Sequence, residues 1–409
     1  MVNPITTIDE FVSIFYGEGR NLLRKADAPI TTSTTGSFNS VFGAYAWAQL
    51  NLEGNFFSVL PKTPYTRSGW RVITAKPSPA SDSTHTDKGG VSEGGTISDS
   101  VKPTLAEIEV RPKTMHLPFS ASEVMEWMAT HSQDDIWGGL GSLRLFMAVR
   151  HKELMNQAIA ADVEKPAADA TGNHTGTLDF ESLDRIVSAD AEEDTLGGTY
   201  TSFYDPWVAS ESDIDRDSGI TYDCTVKSAS GTIGTNGVLT DDVIQTLLQD
   251  IRIAGGKDPT VFIGSHKAYK EIQSIYMPSV RIGNPYDNEQ LVQIDVNGVK
   301  TFKGTGVGIH VDAVYGLPYI PSKDAPSNAD DTTEIGRIFA LDTSDPEGYG
   351  KPRIGIDVAI PTEYYEATRR TPGYPYINGK FAEEGLFRTL AEVVCRHFPS
   401  QGKIRDIKQ

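Results

Sequence analysis

The segment "HTDKGGVSEGGTISDSVKP", residues 85–103, is the part of the sequence that most constrains how this chain can fold. It contains two glycine pairs and no aromatic residue. Residues 77–103 as a whole hold three prolines, four glycines and six serines. Such a stretch buries too little apolar surface to offset the entropy of ordering it. Loops this long are rare inside compact domains unless they are functional, so we expect something outside the loop to order it.

Strand patterns flank this loop on both sides, in residues 68–76 and 104–113. In the second pattern, apolar residues such as Ile108 and Val110 alternate with charged ones, which is the period-2 signature of a strand with two different faces. The sequence therefore predicts a long loop carried on two strands.

The chain has 409 residues, of which 38% are hydrophobic and 9% aromatic, so it can bury more than one core and two or three domains are expected. No apolar run approaches the length needed to span a bilayer. The first residues, "MVNPITTIDEFVSIFYG", contain no basic region followed by an apolar one, so we expect no secretory signal.

The formal net charge is −18, from 37 basic and 55 acidic residues. This charge opposes sequence-independent binding to the phosphate backbone of nucleic acids. A carboxylate-rich surface favours solubility at high ionic strength, where salt screens self-repulsion, and this composition is typical of halophilic life. A mildly acidic mesophilic protein is the alternative.

Motifs for catalysis are not found in the sequence. The eight histidines are scattered, and metal-protease, zinc and nucleophile-elbow motifs do not occur. "GTGVGIH" at 304–310 lacks dinucleotide-binding spacing, so no cofactor is predicted. The two cysteines cannot make a disulfide framework, and Cys395 is expected to be a small buried hydrophobe. The carboxylate pairs Glu192-Glu193 and Glu383-Glu384 are interpreted as solvated surface.

One acidic cluster has the beginning of a calcium loop. Asp213, Asp215 and Asp217 stand at alternate positions, as oxygen ligands do in such loops. An EF-hand needs glycine at its sixth position and a bidentate Glu at its twelfth, where this chain has Ser218 and Cys224. A solvated acidic loop is the favoured interpretation, with a cation site as the alternative.

The rest of the chain reads as helices and strands in a definite order. A helix of roughly 40 Å is predicted from the segment that starts with Ser132 and runs to about residue 163. A capped helix is predicted over 177–196, and a β-rich insertion over 197–237. Later helices have Thr240 and Ser265 as expected N-caps, and a long strand lies near the C-terminus.

This order of parts resembles the HK97-like major capsid proteins of tailed viruses. Three phrases carry local similarity: "NFFSVLPKTPYTRSGWRV", "EGGTISDSVKPTLAEIEVRPKTMHLPFSASEVME" and "DDVIQTLLQDIRIAGGKDPTVFIGSHKAYKEIQ". The resemblance implies an α+β fold with five parts. These are an N-terminal arm (1–56), an extended β-hairpin loop (57–115), a peripheral domain with a long spine helix (116–176), an axial α/β domain with an insertion at about 197–237 (177–365), and a C-terminal strand returning to the peripheral domain (366–409).

The function implied by the resemblance is structural and not enzymatic. Subunits would form hexamers and pentamers and close into an icosahedral shell enclosing double-stranded DNA, which the acidic chain would confine without strong direct binding. Other implied partners are portal, scaffolding and decoration or turret proteins. The protein would lie in the virion shell, assembled in the host cytoplasm without a membrane, and the acidic composition points to a virus of a halophilic archaeon. If Met1 is the true start, we expect scaffolding to come from a separate protein or to be unnecessary.

The extended loop would then lie across a neighbouring subunit. The charges expected to reach that neighbour are Arg67, Lys88 and Glu93. Four glycines are expected to allow close backbone approach, namely Gly89, Gly90, Gly94 and Gly95.

Three other classes of protein stay open at this point. An encapsulin, which is a cellular nanocompartment shell, would keep the fold and change the cargo. An acidic, secreted, β-rich binding or adhesion protein is the second alternative, and an enzyme with an unrecognised site is the third.

Overall fold

A computed structural model describes the chain in separate ranges: residues 54–67, 69–73, 77–79, 81, 85–131, 139–161, 179–196, 223–276, 293–296, 299–302, 313–330, 333–367 and 382–408. The expected N-terminal arm falls almost entirely outside the described residues. So do Asp213, Asp215 and Asp217, together with most of the expected insertion.

Seven α-helices occur in the described residues. They are α1 (Asn55–Val59), α2 (Glu123–His131), α3 (Leu140–Ile159), α4 (Leu183–Ile186), α5 (Asp190–Leu196), α6 (Asp241–Gly255) and α7 (His266–Tyr276). A 3₁₀ turn covers Phe398–Ser400.

Fifteen strands accompany these helices in the described residues. They are β1 (Lys62–Pro64), β2 (Gly69–Ile73), β3 (Leu105–Glu109), β4 (Lys113–Ser122), β5 (Thr225–Ser228), β6 (Val261–Ser265), β7 (Gln293–Val296), β8 (Val299–Phe302), β9 (Ala313–Val314), β10 (Leu317–Ser322), β11 (Ser327–Asp330), β12 (Thr333–Leu341), β13 (Ile354–Ala367), β14 (Ala382–Cys395) and β15 (Gly402–Lys408).

A four-stranded sheet has the order β1-β13-β14-β4, and helix α3 packs against it. Leu140 and Leu143, on the first turn of α3, contact Phe119 and Phe387 on the sheet in one apolar cluster. The spacing of three residues puts both leucines on one helix face.

A seven-stranded sheet has the order β5-β15-β12-β6-β10-β9, with β11 also paired to β12. Helix α6 packs on β5 and β15, and α7 packs on β6, β10 and β12. Ile244, Leu247 and Ile251 form the buried stripe of α6. Gly256, in the left-handed region at φ 73°, ends that helix.

The long helix is shorter than the sequence predicted. It covers Leu140–Ile159, 20 residues, or about 30 Å. Its end is four residues before the expected one, and Ser132 falls outside the described residues. The backbone N–H of Leu140 donates to the carboxylate of Glu126 at 2.5 Å, so a side chain of the preceding helix satisfies the start of α3.

One other prediction was wrong. Residues 177–196 do not form one helix, because the segment breaks into α4 and α5. At the end of the expected insertion, β5 pairs in parallel with β15 in the seven-stranded sheet, and the extent of that insertion stays a prediction.

The long strand predicted near the C-terminus is β14, which lies between β13 and β4. A second strand, β15, follows it and pairs with β12 and β5. The seven residues of β15 are therefore an integral part of the larger sheet. The division of the chain into named domains stays a prediction.

A buried cluster of ionised side chains joins α4 and α5 to the seven-stranded sheet. Asp184 accepts from Lys403 at 2.9 Å and also pairs with Arg337. Lys403 lies 2.8 Å from Glu192, which also pairs with Arg405. All five side chains are at most 4% exposed. Glu192 is thus not the solvated surface residue that the sequence suggested.

His151 makes stability depend on pH. Its ring lies between α3 and β14, with Nε2 2.9 Å from the Thr389 hydroxyl and the ring stacked on Phe387. Burial, with a smaller contribution from His116, lowers the pKa of His151 to about 4. The folded pKa is below the unfolded one, so this stability is fully present above about pH 6.5 and is lost as pH falls toward 4.

We expect His151 to contribute about 3 kcal/mol of stability at pH 7.5 that disappears by pH 4. Urea unfolding of wild type and of His151→Gln at several pH values tests this, with the exposed His131→Gln as control. The wild-type advantage over His151→Gln should shrink on acidification. A pH-independent difference would contradict the assignment.

Candidate functional site: the extended loop

Within the extended loop region (57–115), residues 74–104 connect β2 to β3 and are anchored at their base. β2 and β3 pair antiparallel from Gly69↔Glu109 to Ile73↔Leu105, as the sequence predicted. Ile108 is buried in the main core. The core therefore anchors the two strands that carry the loop.

Tyr65, just before β2, adds to that anchor. Its backbone N–H donates to the Val358 carbonyl at 2.9 Å, and its hydroxyl donates to the Val110 carbonyl at 3.0 Å. Val110 is itself buried in the main core. Both ends of the loop are thus tied to the four-stranded sheet and the core beneath it.

The first turn of the loop is built around Thr86. Its backbone N–H donates to the Gly90 carbonyl at 2.9 Å, and its hydroxyl accepts the Gly90 N–H at 2.9 Å. Gly89 adopts φ 84°, a conformation that glycine accepts without strain. An isolated bridge between His85 and Val91 closes the turn.

A second turn follows at Ser92, whose carbonyl accepts the Gly95 N–H at 2.9 Å. Gly94 has φ 77°, and a side chain on Gly95 would come within 2.8 Å of Val91. His85 connects the two turns, since its Nε2 contacts the Thr96 carbonyl and the residue is buried. These glycines therefore shape the loop within its own subunit.

The structure places the charged residues that the sequence predicted to reach a neighbour on the surface. Lys88 and Glu93 are exposed on the first and second turns, and Arg67 is exposed just before β2. The four glycines lie in the two turns. Whether any of them touches a neighbour stays a prediction.

Apolar side chains are the feature that sequence reasoning missed. Ile97 is 94% exposed, and Val91 and Val101 are each 49% exposed. Leu105 and Ile73, a cross-strand pair at the start of the arms, are also exposed. The loop therefore presents several exposed apolar side chains. In the sequence, the only sign of them was a few isolated aliphatic residues within a polar segment.

Within the described residues, no three His, Cys, Asp or Glu side chains are grouped so as to hold a metal ion. Across the same ranges, every helix is too short or too polar to cross a membrane. Cys224 and Cys395 are both free thiols and buried, as expected for Cys395.

Comparison with solved structures identifies the architecture. The capsid asymmetric unit of cyanophage A-1(L) superposes with a TM-score of 0.56 at 15% identity, covering 90% of this chain and 96% of that one. The chain has the HK97-like capsid fold. The capsid of an empty GTA (gene transfer agent) particle matches this fold too, with a TM-score of 0.50 at 9% identity over 96% and 98% of the two chains.

An encapsulin from Synechococcus elongatus, in the holo-SrpI complex, superposes with a TM-score of 0.46 at 10% identity over 95% of each chain. No protein-family model matches the chain, and no curated protein matches its sequence. The fold is therefore established by structure and not by sequence.

Proposed function

We propose that this chain is the major capsid protein of a tailed virus. It assembles into hexamers and pentamers that close into an icosahedral shell around double-stranded DNA, and its role is structural and not catalytic. The observation that carries this proposal is the extended loop, which is anchored at its base and exposes apolar side chains along its length. A neighbouring subunit supplies the surface that the loop lacks.

The acidic charge adds detail to the proposal. With a net charge of −18, the shell confines DNA with little attraction to its phosphates. The same charge favours assembly at high salt, which screens repulsion between subunits, and supports a virus of a halophilic archaeon. Shells assemble in the host cytoplasm, with portal, scaffolding and decoration or turret proteins as further partners.

Light scattering and negative-stain microscopy of the purified chain test this function. In molar salt we expect closed shells or rings of five and six subunits, which dissociate on dilution of the salt. A monomer under both conditions, at every protein concentration tried, would contradict self-assembly.

Within the loop, we expect the apolar side chains to contribute more affinity than the charges. Ile97→Ser should change the subunit's own stability by no more than about 0.5 kcal/mol, because the side chain is already in water. It should raise the concentration needed for shell formation about tenfold, since a fully buried aliphatic side chain is worth roughly 1.5–3 kcal/mol.

The paired variants Lys88→Ala and Glu93→Ala provide the comparison, because both remove an exposed charge from the same loop. Their effects should be smaller and should fade as salt is added. Sedimentation of assembly reactions over a concentration series measures all three variants. An effect of either charge variant larger than that of Ile97→Ser would reverse this ranking.

A further inference from the structure

The loop of residues 342–353 connects β12 of the seven-stranded sheet to β13 of the four-stranded sheet. Its tip, residues 346–350, is exposed throughout. Tyr349 at this tip is 83% exposed, although tyrosine usually buries much of its ring. An aromatic side chain held out in solvent is unusual enough to call for a reason.

Asp345 holds the tip in one conformation. Its carboxylate accepts the backbone N–H of Tyr349 at 3.2 Å and that of Gly350 at 2.6 Å. Gly348 and Gly350 have φ values of 72° and 71°, so glycine on each side of the tyrosine permits the tight turn. The tyrosine is therefore presented on a backbone that is ordered before any contact forms.

Arg353 closes the base of this loop. Its guanidinium donates to Asp342 at 3.1 Å and to Glu347 at 3.2 and 2.7 Å. Its backbone N–H donates to the Ser344 carbonyl at 2.9 Å. The Asp342 carboxylate also accepts the N–H and the hydroxyl of Ser344, at 3.0 and 2.6 Å.

Lys351 ties the loop to the segment that leads into the extended loop. Its ammonium donates to the Pro64 carbonyl and lies 3.7 Å from Asp357. Pro64 is three residues before Arg67, one of the residues expected to reach a neighbour. The 342–353 loop is therefore continuous with the base of the proposed inter-subunit surface.

We propose that Tyr349 is an aromatic anchor that binds a second copy of this chain; this rests on the proposed self-assembly. Four of the five charged side chains of the loop are paired with opposite charges inside the loop or beside it, and the fifth, Asp345, has its carboxylate hydrogen-bonded by two backbone N–H groups, so the tip presents a ring and glycine backbone with one net negative charge behind them. Two copies that each carry a net charge of −18 repel one another. A contact made through this weakly charged tip keeps the repulsion low where the copies meet. A rigid tyrosine loses little conformational entropy when it is buried.

Two substitutions of Tyr349, made in the full-length chain, test this anchor. Tyr349→Phe keeps the ring and should assemble at the wild-type concentration within about twofold. Tyr349→Ser should raise the concentration needed for shells at least about tenfold, as expected for an interface hot spot. Ile253→Ser is the matched control, because Ile253 is 73% exposed on α6, and it should assemble normally.

Asp345→Ala tests the ordered backbone of the tip separately from the tyrosine ring. It keeps the tyrosine and removes the carboxylate that orders the tip, so its effect should lie between those of the Phe and Ser variants. If Asp345→Ala forms shells at the same protein concentration as wild type, the ordered tip is not needed for the contact.

A photo-crosslinking residue at position 349 identifies the partner directly. In particles assembled from the variant that carries p-benzoylphenylalanine in place of Tyr349, mass spectrometry should find a crosslinked product of twice the chain mass. Shells formed equally well by wild type and Tyr349→Ser, or crosslinks found only within one chain or to another protein, would overturn the anchor and leave the proposed function standing. Failure of the wild type to assemble at all would overturn both.

Discussion

Replacing Asp184 by Asn should lower the free energy of unfolding by about 3–5 kcal/mol, the usual cost of removing one member of a buried ion pair. Asp184 is 1% exposed and pairs with Lys403 and Arg337, which are themselves buried. Without the carboxylate, Arg337 and Lys403 each lose a buried anionic partner, and Lys403 keeps only Glu192 at 2.8 Å to balance its charge in this cluster. The cost comes from this loss of charge balance and not from lost packing.

Chemical denaturation of Asp184→Asn and of Asp258→Asn tests this expectation. Asp258 pairs with Arg252 at the surface, so its removal should cost under about 1 kcal/mol. A loss for Asp184→Asn no larger than that for Asp258→Asn would show that the buried cluster does not hold α4 and α5 to the sheet.

The effect of Asp184 should also depend on pH. Burial opposes ionisation, but Arg337 and Lys403 outweigh it and hold the pKa of Asp184 well below its usual range. A depressed pKa gives stability that is present above the unfolded value near 3.9 and is lost as pH falls through the folded value. The difference between wild type and Asp184→Asn should therefore be constant at neutral pH and narrow only in strong acid.

Deleting residues 85–100 should abolish shell formation and leave a folded, soluble subunit. The deleted residues include both turns and the His85–Thr96 contact, while β2, β3 and the buried Ile108 remain. The deletion removes no part of the large cores, so thermal stability should hardly change.

A second variant with residues 85–100 replaced by a Gly/Ser chain of equal length is the matched control. It keeps the loop's reach and removes its side chains and ordered turns, so it should also fail to close shells. Particle yield by light scattering and far-UV circular dichroism separate assembly from folding. Normal shells from either variant would refute the role of the loop.

Local sequence signals were sufficient where they agreed with the packing. The hairpin arms β2 and β3 and the Ser265 cap follow from residue chemistry within a few positions, as does the end of α6 at Gly256. Thr240 precedes α6 as predicted, although its side chain makes no capping hydrogen bond. Elements of this kind are specified by their own residues.

Tertiary contacts decided the elements that the sequence could not predict. Residues 177–196 have a continuous helical pattern, but between α4 and α5 the Ser188 carbonyl accepts the Cys224 N–H, which lies just before β5, and does not continue a helix. Glu384 was interpreted as surface and is buried, because its strand lies inside the four-stranded sheet. Burial of Asp184 and Glu192 depends on partners more than 150 residues away, which local patterns do not show.

The candidate site was predicted in outline. Its glycines, its length and its flanking strands pointed to an exposed loop that needs a partner. The sequence drew attention to the charges, whereas the structure adds Ile97 as the most exposed apolar side chain of the loop. Exposure of that side chain depends on how the two turns fold, and this could not be read from composition.

A cryo-electron microscopy map of particles assembled from the full-length chain tests the central claim most directly. We expect density for residues 85–103 of each subunit to lie on a neighbouring subunit, with Ile97 buried in that contact. A closed particle in which this loop extends into solvent, or packs only on its own subunit, would contradict the account.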